Sequence, residues 1–455
     1  MQTETISKIK EVQCSPFRGA GGFTAVVDCN SFYCSAERVF RPDLHDKPVV
    51  VLSNNDGCIV SRSDESKKLG VSMADPYFKS KDIIEQHGIS VFSSNYNLYG
   101  DMSWRVMETL RIIMGKENVE VYSVDEAFLD MREVPFEELY SAAMMIRQTV
   151  EQWTGVAVSV GVAPTKTLSK VANHIAKKNK QATQCVTVLE TEEKINEALC
   201  LTPVRDIWGV GGQYADKLKL FGIYDAYQLS RMPEEWARKN LGGVVGLRLI
   251  KELKGEPSIS LDKELIEKKM IATTRMFGKP VTELRDIKEA VATYTSRAAE
   301  KLRRQYGAAS IISVFVVPKE IRKPGDHFRH GPTVSEAITL SHATSITSEL
   351  IKPAVHLAEK AYHRAVRDVK TNLFKKAGVM LSGIVPDTTL QGNLFVAPSK
   401  NNGRMLMDMM DNINFSMRND ILKFAATGTE RNWKMRQELR SPRYTSRWDE
   451  LREVR

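Results

Sequence analysis

The sequence predicts an α+β fold shared among several domains, and three observations carry that reading. Its 455 residues exceed what a single hydrophobic core organises. Short apolar runs of strand length alternate with amphipathic stretches of helical period. A glycine-turned stretch without a strand separates two such mixed regions. The 42% hydrophobic and 27% charged residues fit a globular rather than a disordered chain.

Residues 1–22 are polar and end in RGAGG, which reads as a loose N-terminal extension, with order beginning at Phe23. FTAVVD, KPVVVL and GCIVS then read as strands. NLYGDMSWRVMETLRIIM and PFEELYSAAMMIRQTVEQW space their apolar residues as helices do, and GVAVSVGVA leads into PTKTLSKVANHIAKK, a helix opened by Pro164 and Thr165. Residues 23–195 therefore form one α+β domain, with a substructure inserted at 48–90.

Residues 196–257 hold glycine-rich turns and short helices, and KGEPS follows as a linker. From 265 to 385 the order is strand KKMIATTRMF, helix 286–306, strand IISVFVV, strand SEAITLSHAT, helix 350–370, strand AGVMLSGIV, the pattern of a split βαβ domain. The tail, 386–455, is polar and then rich in Arg and Trp, with no core of its own.

A net charge of +9 favours polyanionic partners through counterion release and steering, or simply marks a basic, soluble surface. The start has no apolar signal region, and the most hydrophobic stretches are far too short to span a bilayer, which implies a cytoplasmic protein. Six cysteines without a CxxC pair argue against a zinc site or a disulfide framework.

VYSVDEAFLD, residues 121–130, puts Asp125 and Glu126 side by side in an apolar run. Burying carboxylates costs several kcal/mol unless cations or hydrogen bonds compensate. Either the pair is a polar hairpin tip, or it joins a third acid, Asp28, where FTAVVD runs into a helix. Three carboxylates at neighbouring strand ends would be hard-oxygen ligands for Mg²⁺, and two such ions clamp a phosphoryl transfer. One difficulty is that strand neighbours face opposite sides, so a turn or bulge has to re-aim one of the two.

Two lysine-bearing segments could hold phosphates beside such a site or be solvated faces. In GCIVSRSDESKKLGV, Ser63 caps a short helix carrying Lys67 and Lys68, which Gly70 stops. In GVAPTKTLSKVANHIAKKNK, Lys166, Lys170 and Lys177 fall on one helical face. DIWGVGGQYADKLKLFGI resembles a helix-hairpin-helix, whose exposed amides grip a DNA phosphate without reading bases; the alternative is an ordinary packing corner.

Taken together, DCNSFYCSAERVFRPDL, KPVVVLSNNDGCIVSRSDESKKLGV, YSVDEAFLD, GVAPTKTLSKVANHIAK and the Gly-Val-Gly hairpin resemble the Y-family translesion DNA polymerases, in particular the UmuC-type subunits of bacterial DNA polymerase V. The resemblance runs in order from 23 to 455. It implies a right-hand architecture: palm and fingers at 23–195, helix-hairpin-helix thumb at 196–257, little finger at 265–385 and a partner-binding tail. It further implies that Asp28, Asp125 and Glu126 ligate two Mg²⁺ ions, with the Cys29 carbonyl completing one shell. The backbone amides of Phe32 and Tyr33, together with Ser61, Arg62, Lys67 and Lys177, would hold the dNTP.

Tyr33 takes the steric-gate position, where an aromatic ring excludes a ribose 2′-OH. Gly209, Gly211 and Gly212 would contact DNA. LQGNLF resembles a sliding-clamp-binding peptide at Gln391, Leu394 and Phe395, with Gly392 in place of the usual apolar residue. ERNWKMRQELRSPRYTSRWDELREV resembles the terminal segment of UmuC-type subunits, implying contacts with a UmuD′ dimer and a RecA filament; a basic DNA-binding tail is the alternative.

The resemblance departs from the family in its long leader and in Asp64, which stands where some members carry an aromatic residue. The expected activity is error-prone, template-directed synthesis past lesions in the SOS response, without proofreading. The competing readings are an idle DNA-binding scaffold that recruits the clamp and RecA, and a nucleotide cyclase built on the same kind of palm.

Overall fold

The computed structural model describes residues 22–261, 267–319, 332–389, 402–417 and 421–451. In chain order the first region contains β1 (Thr24–Cys29), α1 (Phe32–Val39), β2 (Val49–Leu52), β3 (Ile59–Arg62), α2 (Asp64–Lys68), α3 (Tyr77–Gln86), β4 (Ser90–Ser93), α4 (Tyr96–Met114), β5 (Val119–Val121), β6 (Glu126–Asp130), α5 (Leu139–Thr154), β7 (Val158–Ala163), α6 (Lys166–Lys178), α7 (Lys180–Thr183), β8 (Val186–Val188) and α8 (Glu192–Cys200). Two sheets result, one of order β5-β6-β1-β7-β8 and a smaller one of order β3-β2-β4. The smaller sheet has a core of its own around Val50, Leu52, Ile59 and Ile84, which is why it behaves as an insertion.

The five-stranded sheet is covered on both faces. One face of β1 and β7, with Ala25, Val27, Val158 and Val160, packs against Ile146 and Val150 of α5 and the buried side of α4. The other face carries Gly161, and α6 lies almost directly on it. A Cβ there would meet the Asn173 nitrogen at 2.2 Å and the Ser169 carbonyl oxygen at 2.3 Å, so only glycine permits this approach. Thr165 caps α6, its hydroxyl accepting from the Leu168 amide.

The helical region comprises α9 (Gly212–Leu220), α10 (Ala226–Ser230), α11 (Glu234–Asn240) and α12 (Val244–Leu253). It shares a core with Leu168, Val171 and Ala172 of α6. Glu252, fully buried, joins three parts of the chain by accepting hydrogen bonds from the amides of Thr167, Ser258 and Ile259.

The next sheet is built from β9 (Ile271–Val281), β10 (Gly307–Pro318), β11 (Val334–Thr344) and β12 (Phe374–Pro386), with α13 (Leu284–Arg304) after β9 and α14 (Thr347–Val369) after β11. Its order is β11-β10-β12-β9, so β12 separates β9 from β10, the split that the sequence pattern predicts. β9 runs beyond the expected KKMIATTRMF through Gly278 and Pro280. An edge strand tolerates proline because it lacks a neighbour on one side.

α15 (Asn402–Ser416) follows, and residues 421–451 then take an irregular course across the molecule. They have no core of their own, as expected, but they complete two others. Trp433 is buried in the β9–β12 core against Tyr294. Tyr444 is buried in the palm-sheet core and stacks on Phe40 with ring centroids 4.8 Å apart. Among the described residues no helix is long and apolar enough to cross a membrane.

Candidate active site

The backbone settles the problem posed by two adjacent acids. Asp28 pairs directly with Glu126 across the β1–β6 ladder, and directly paired residues share a face. Asp125 lies just before β6, in the turn from β5, so the alternation rule of a strand does not apply to it. Ser123 shapes this turn. Its hydroxyl accepts from the amides of Asp125 and Glu126 and donates to the Asp125 carboxylate at 2.5 Å. The Cys29 amide bonds to the Asp125 carbonyl at 2.8 Å, tying the turn to β1. The side chain of Cys29 points into the core, where burial holds its thiol well above the ordinary range.

Three of the four lysines of α6 lie against the sheet, and two of them, Lys170 and Lys177, reach its acidic end, while Lys178 pairs with Asp206. Lys166 forms a buried ion pair with Glu120 and also donates to the Ser260 carbonyl. Lys170 bonds both oxygens of Glu126, at 2.9 and 3.1 Å. Lys177 contacts Asp28 at 2.5 Å. The face is therefore not solvated: its ammonium groups compensate carboxylates whose desolvation would otherwise be prohibitive.

Compensation is incomplete at Asp28. Burial and the adjacent Glu126 raise its pKa, and Lys177 offsets only part of that rise. Among the described residues, no cluster of three or more His, Cys, Asp or Glu side chains is gathered as a ready metal cage. The donor set nevertheless suits hard divalent cations. Asp28 and Glu126 face each other across adjoining strands with Asp125 in the turn beside them, Asp28 and Glu126 already carry ammonium cations, and Asp28 disfavours ionisation without more positive charge.

The expected dNTP residues surround this end unevenly. α1 starts just after Asp28, with Ser31 left-handed at φ 47°. Tyr33 stacks on Tyr99 of α4, with centroids 4.4 Å apart, and meets Tyr96 edge-on. Phe32 is a core residue. The Ser61 hydroxyl is buried against α1, in contact with the Cys34 amide and the Ser31 carbonyl at 3.4 Å each. Arg62 donates to the Val71 carbonyl. Lys67 contacts Asp64 at 2.7 Å and the Ser31 hydroxyl at 3.3 Å. Asp64 also pairs with Lys180; burial alone would raise its carboxyl, but the two lysines outweigh that and hold it at about 2.

In the helical region, Gly209 takes φ +91°, and Gly211 and Gly212 stand in open space at the uncapped start of α9. The hairpin's first arm is only the 3-10 turn Val204–Asp206, begun by Pro203, rather than a full helix. Gln391, Leu394 and Phe395 lie outside the described residues.

Sequence reasoning missed Trp208. Its indole donates to the Tyr122 hydroxyl at 3.2 Å and packs against Phe128, while Lys170 sits over its ring at 5.3 Å. The helical region thus leans on the back of the acidic turn. The tryptophan inside DIWGVGG was the available signal.

The sequence profile of the impB/mucB/samB family matches residues 27–174, that of the same family's C-terminal domain matches 268–394, and a domain of unknown function matches 404–454. The chain is 40% identical to the protein UmuC of Salmonella typhimurium over 95% of its own length and all of the relative's. It is 38% identical to the protein SamB of Salmonella typhimurium, over 94% of this chain and 98% of that one. Among solved structures, a Y-family DNA polymerase chimera of Dbh and Dpo4 superposes with a TM-score of 0.64 at 24% identity, covering 80% of this chain and 99% of the other, a likeness of fold.

Proposed function

This chain belongs to the impB/mucB/samB family, within the Y-family DNA polymerases, and on that premise we propose that it is an error-prone translesion polymerase subunit that extends a primer past template lesions. The observation that carries this reading is the direct pairing of Asp28 with Glu126, with Asp125 at the head of the same strand, beneath the lysines of α6.

In this reading Asp28, Asp125 and Glu126, with the Cys29 carbonyl, hold two Mg²⁺ ions. When bound, these supply a lowered pKa for the primer 3′-OH and neutralisation of the departing pyrophosphate. The protein's own groups do the rest. Ser123 holds the acidic turn through the amides of Asp125 and Glu126. Lys170 remains on Glu126, clamped among Tyr122, Phe128 and Trp208. Lys177, a third exposed near the end of α6, turns from Asp28 to the triphosphate, as Lys67 does from Asp64.

Ser61, Arg62 and the Phe32 and Tyr33 amides complete the dNTP cradle, and the Tyr33 ring closes it to a 2′-OH. Gly209, Gly211 and Gly212 hold the DNA backbone through α9's free amides, a sequence-independent grip. The sliding clamp is engaged through Gln391, Leu394 and Phe395. A UmuD′ dimer and a RecA filament are the remaining partners, and the setting is the SOS response in the cytoplasm.

The test is primer extension opposite an abasic site, with UmuD′ and RecA present, comparing the wild type with Asp125→Asn. The expected result is lesion bypass by the wild type and none by the variant. Duplex binding without extension by either protein would replace the polymerase with a recruiting scaffold.

A further inference from the structure

The domain of unknown function at 404–454 includes the segment that crosses from the β9–β12 sheet to the palm, and its route is built, not incidental. After Trp433, the Gly278 amide bonds the Trp433 carbonyl at 3.2 Å, and a Cβ on Gly278 would meet the Lys434 carbonyl oxygen at 2.3 Å. Asn55, in the turn between β2 and β3, touches both sides of the crossing, donating to the Phe277 carbonyl and accepting from the Arg436 amide. Arg440 then pairs with Ser93 as an added strand residue beside β4. The crossing ends at Ser441, which is buried in the palm.

At Ser441 the segment reaches the nucleotide side. Asn95, the residue preceding α4, donates to the Ser441 hydroxyl at 2.9 Å. That hydroxyl donates to Glu37 Oε1 at 2.9 Å, and the Tyr99 hydroxyl donates to the same oxygen at 2.7 Å. Glu37 is fully buried in the middle of α1, and its second oxygen has no partner among the described residues. The Tyr99 ring in turn lies flat against Tyr33, at an interplanar angle of 15°. A fully buried carboxylate has no water to replace a lost donor, so the three donors and acceptors fix one another's positions.

We propose that the C-terminal segment sets sugar selection, with Ser441, Glu37 and Tyr99 acting as positioning residues that hold the Tyr33 ring in place. This rests on the reading of Tyr33 as the steric gate. It makes the domain of unknown function part of the nucleotide site, and it makes ribonucleotide exclusion depend on a segment more than 400 residues from the gate.

The experiment measures kcat/KM for dTTP and for UTP opposite template adenine, with the full chain and its partners on primer-template DNA. Losing the two hydrogen bonds of the Ser441 hydroxyl, or the one from Tyr99, is expected to lower the dTTP-to-UTP ratio about tenfold in Ser441→Ala and in Tyr99→Phe, with dTTP insertion by Ser441→Ala within about twofold of wild type. Ser441→Thr, which keeps the hydroxyl, is expected to restore the ratio. Tyr33→Ala is expected to cost about a hundredfold or more, and adding Ser441→Ala to it should cost nothing further, because both act through one ring. Unchanged ratios in both Ser441→Ala and Tyr99→Phe, beside a collapsed ratio in Tyr33→Ala, would refute the positioning role and leave the gate standing. An unchanged ratio in Tyr33→Ala would remove the gate and this inference with it.

Discussion

The acidic end of the palm sheet and the C-terminal segment are both polar insertions into apolar surroundings, and they are built in opposite ways. At the acidic end, like charges are forced together by strand register, and the compensating lysines leave Asp28 disfavoured in its ionised form. Along the segment from Trp433 to Tyr444, amides and hydroxyls find hydrogen-bond partners and large rings fill two cores. The first region stores unfavourable electrostatics that a ligand can relieve, whereas the second spends its contacts on holding domains in one arrangement. Function and stability should therefore separate under mutation.

The sharpest way to break this contrast is Asp28→Asn. Extension should fall by about a thousandfold or more, an effect of about 4 kcal/mol on the barrier. Stability to denaturant should stay level or rise, because a buried charge is removed. A large loss of stability would mean that the acids are structural.

Trp433→Ala should do the reverse. Emptying a buried indole site costs about 3 kcal/mol or more, read as a lower midpoint for unfolding of the β9–β12 domain. Extension per folded molecule on undamaged template should change far less than for Asp28→Asn. A variant as stable as wild type would show that the segment merely rests on that sheet.

A smaller effect tests where the two regions meet. Burial holds the Glu37 carboxyl up at about 7, against the donors Tyr99 and Ser441 and the charge of Arg41, from an ordinary 4.5. The folded state therefore keeps a proton that the unfolded chain releases between those values. Its contribution, on the order of 3 kcal/mol, is complete below pH 4.5 and lost as pH rises to about 7. The stability difference between wild type and Glu37→Gln should drift over that window in favour of the glutamine variant; a pH-independent difference would mean that Glu37 titrates as if exposed.

Much of the fold was readable because it rests on local pattern. Apolar runs in FTAVVD and KPVVVL, the cap at Thr165 and the β-α-β-β-α-β order each reflect periodicity or turn chemistry within a few residues. β9 outran its expected end because its edge position, a property of the whole sheet, excuses Pro280.

The candidate site was readable only in part. The acids were conspicuous because charges in apolar runs demand an explanation. Lys166, Lys170 and Lys177 showed their common face but not their partners, since periodicity fixes a direction on a helix and says nothing of what lies opposite.

By itself, then, the sequence determined which residues could carry charge into the interior and on which elements they would ride. Tertiary structure alone decided that Asp28 pairs with Glu126, that Ser123 turns Asp125 out of the strand alternation, and that Ser441 comes to rest on Glu37. The reason is physical. Helix and strand preferences act over a few bonds, whereas register, close approach at Gly161 and shared buried hydrogen bonds depend on surfaces that exist only once distant segments have packed.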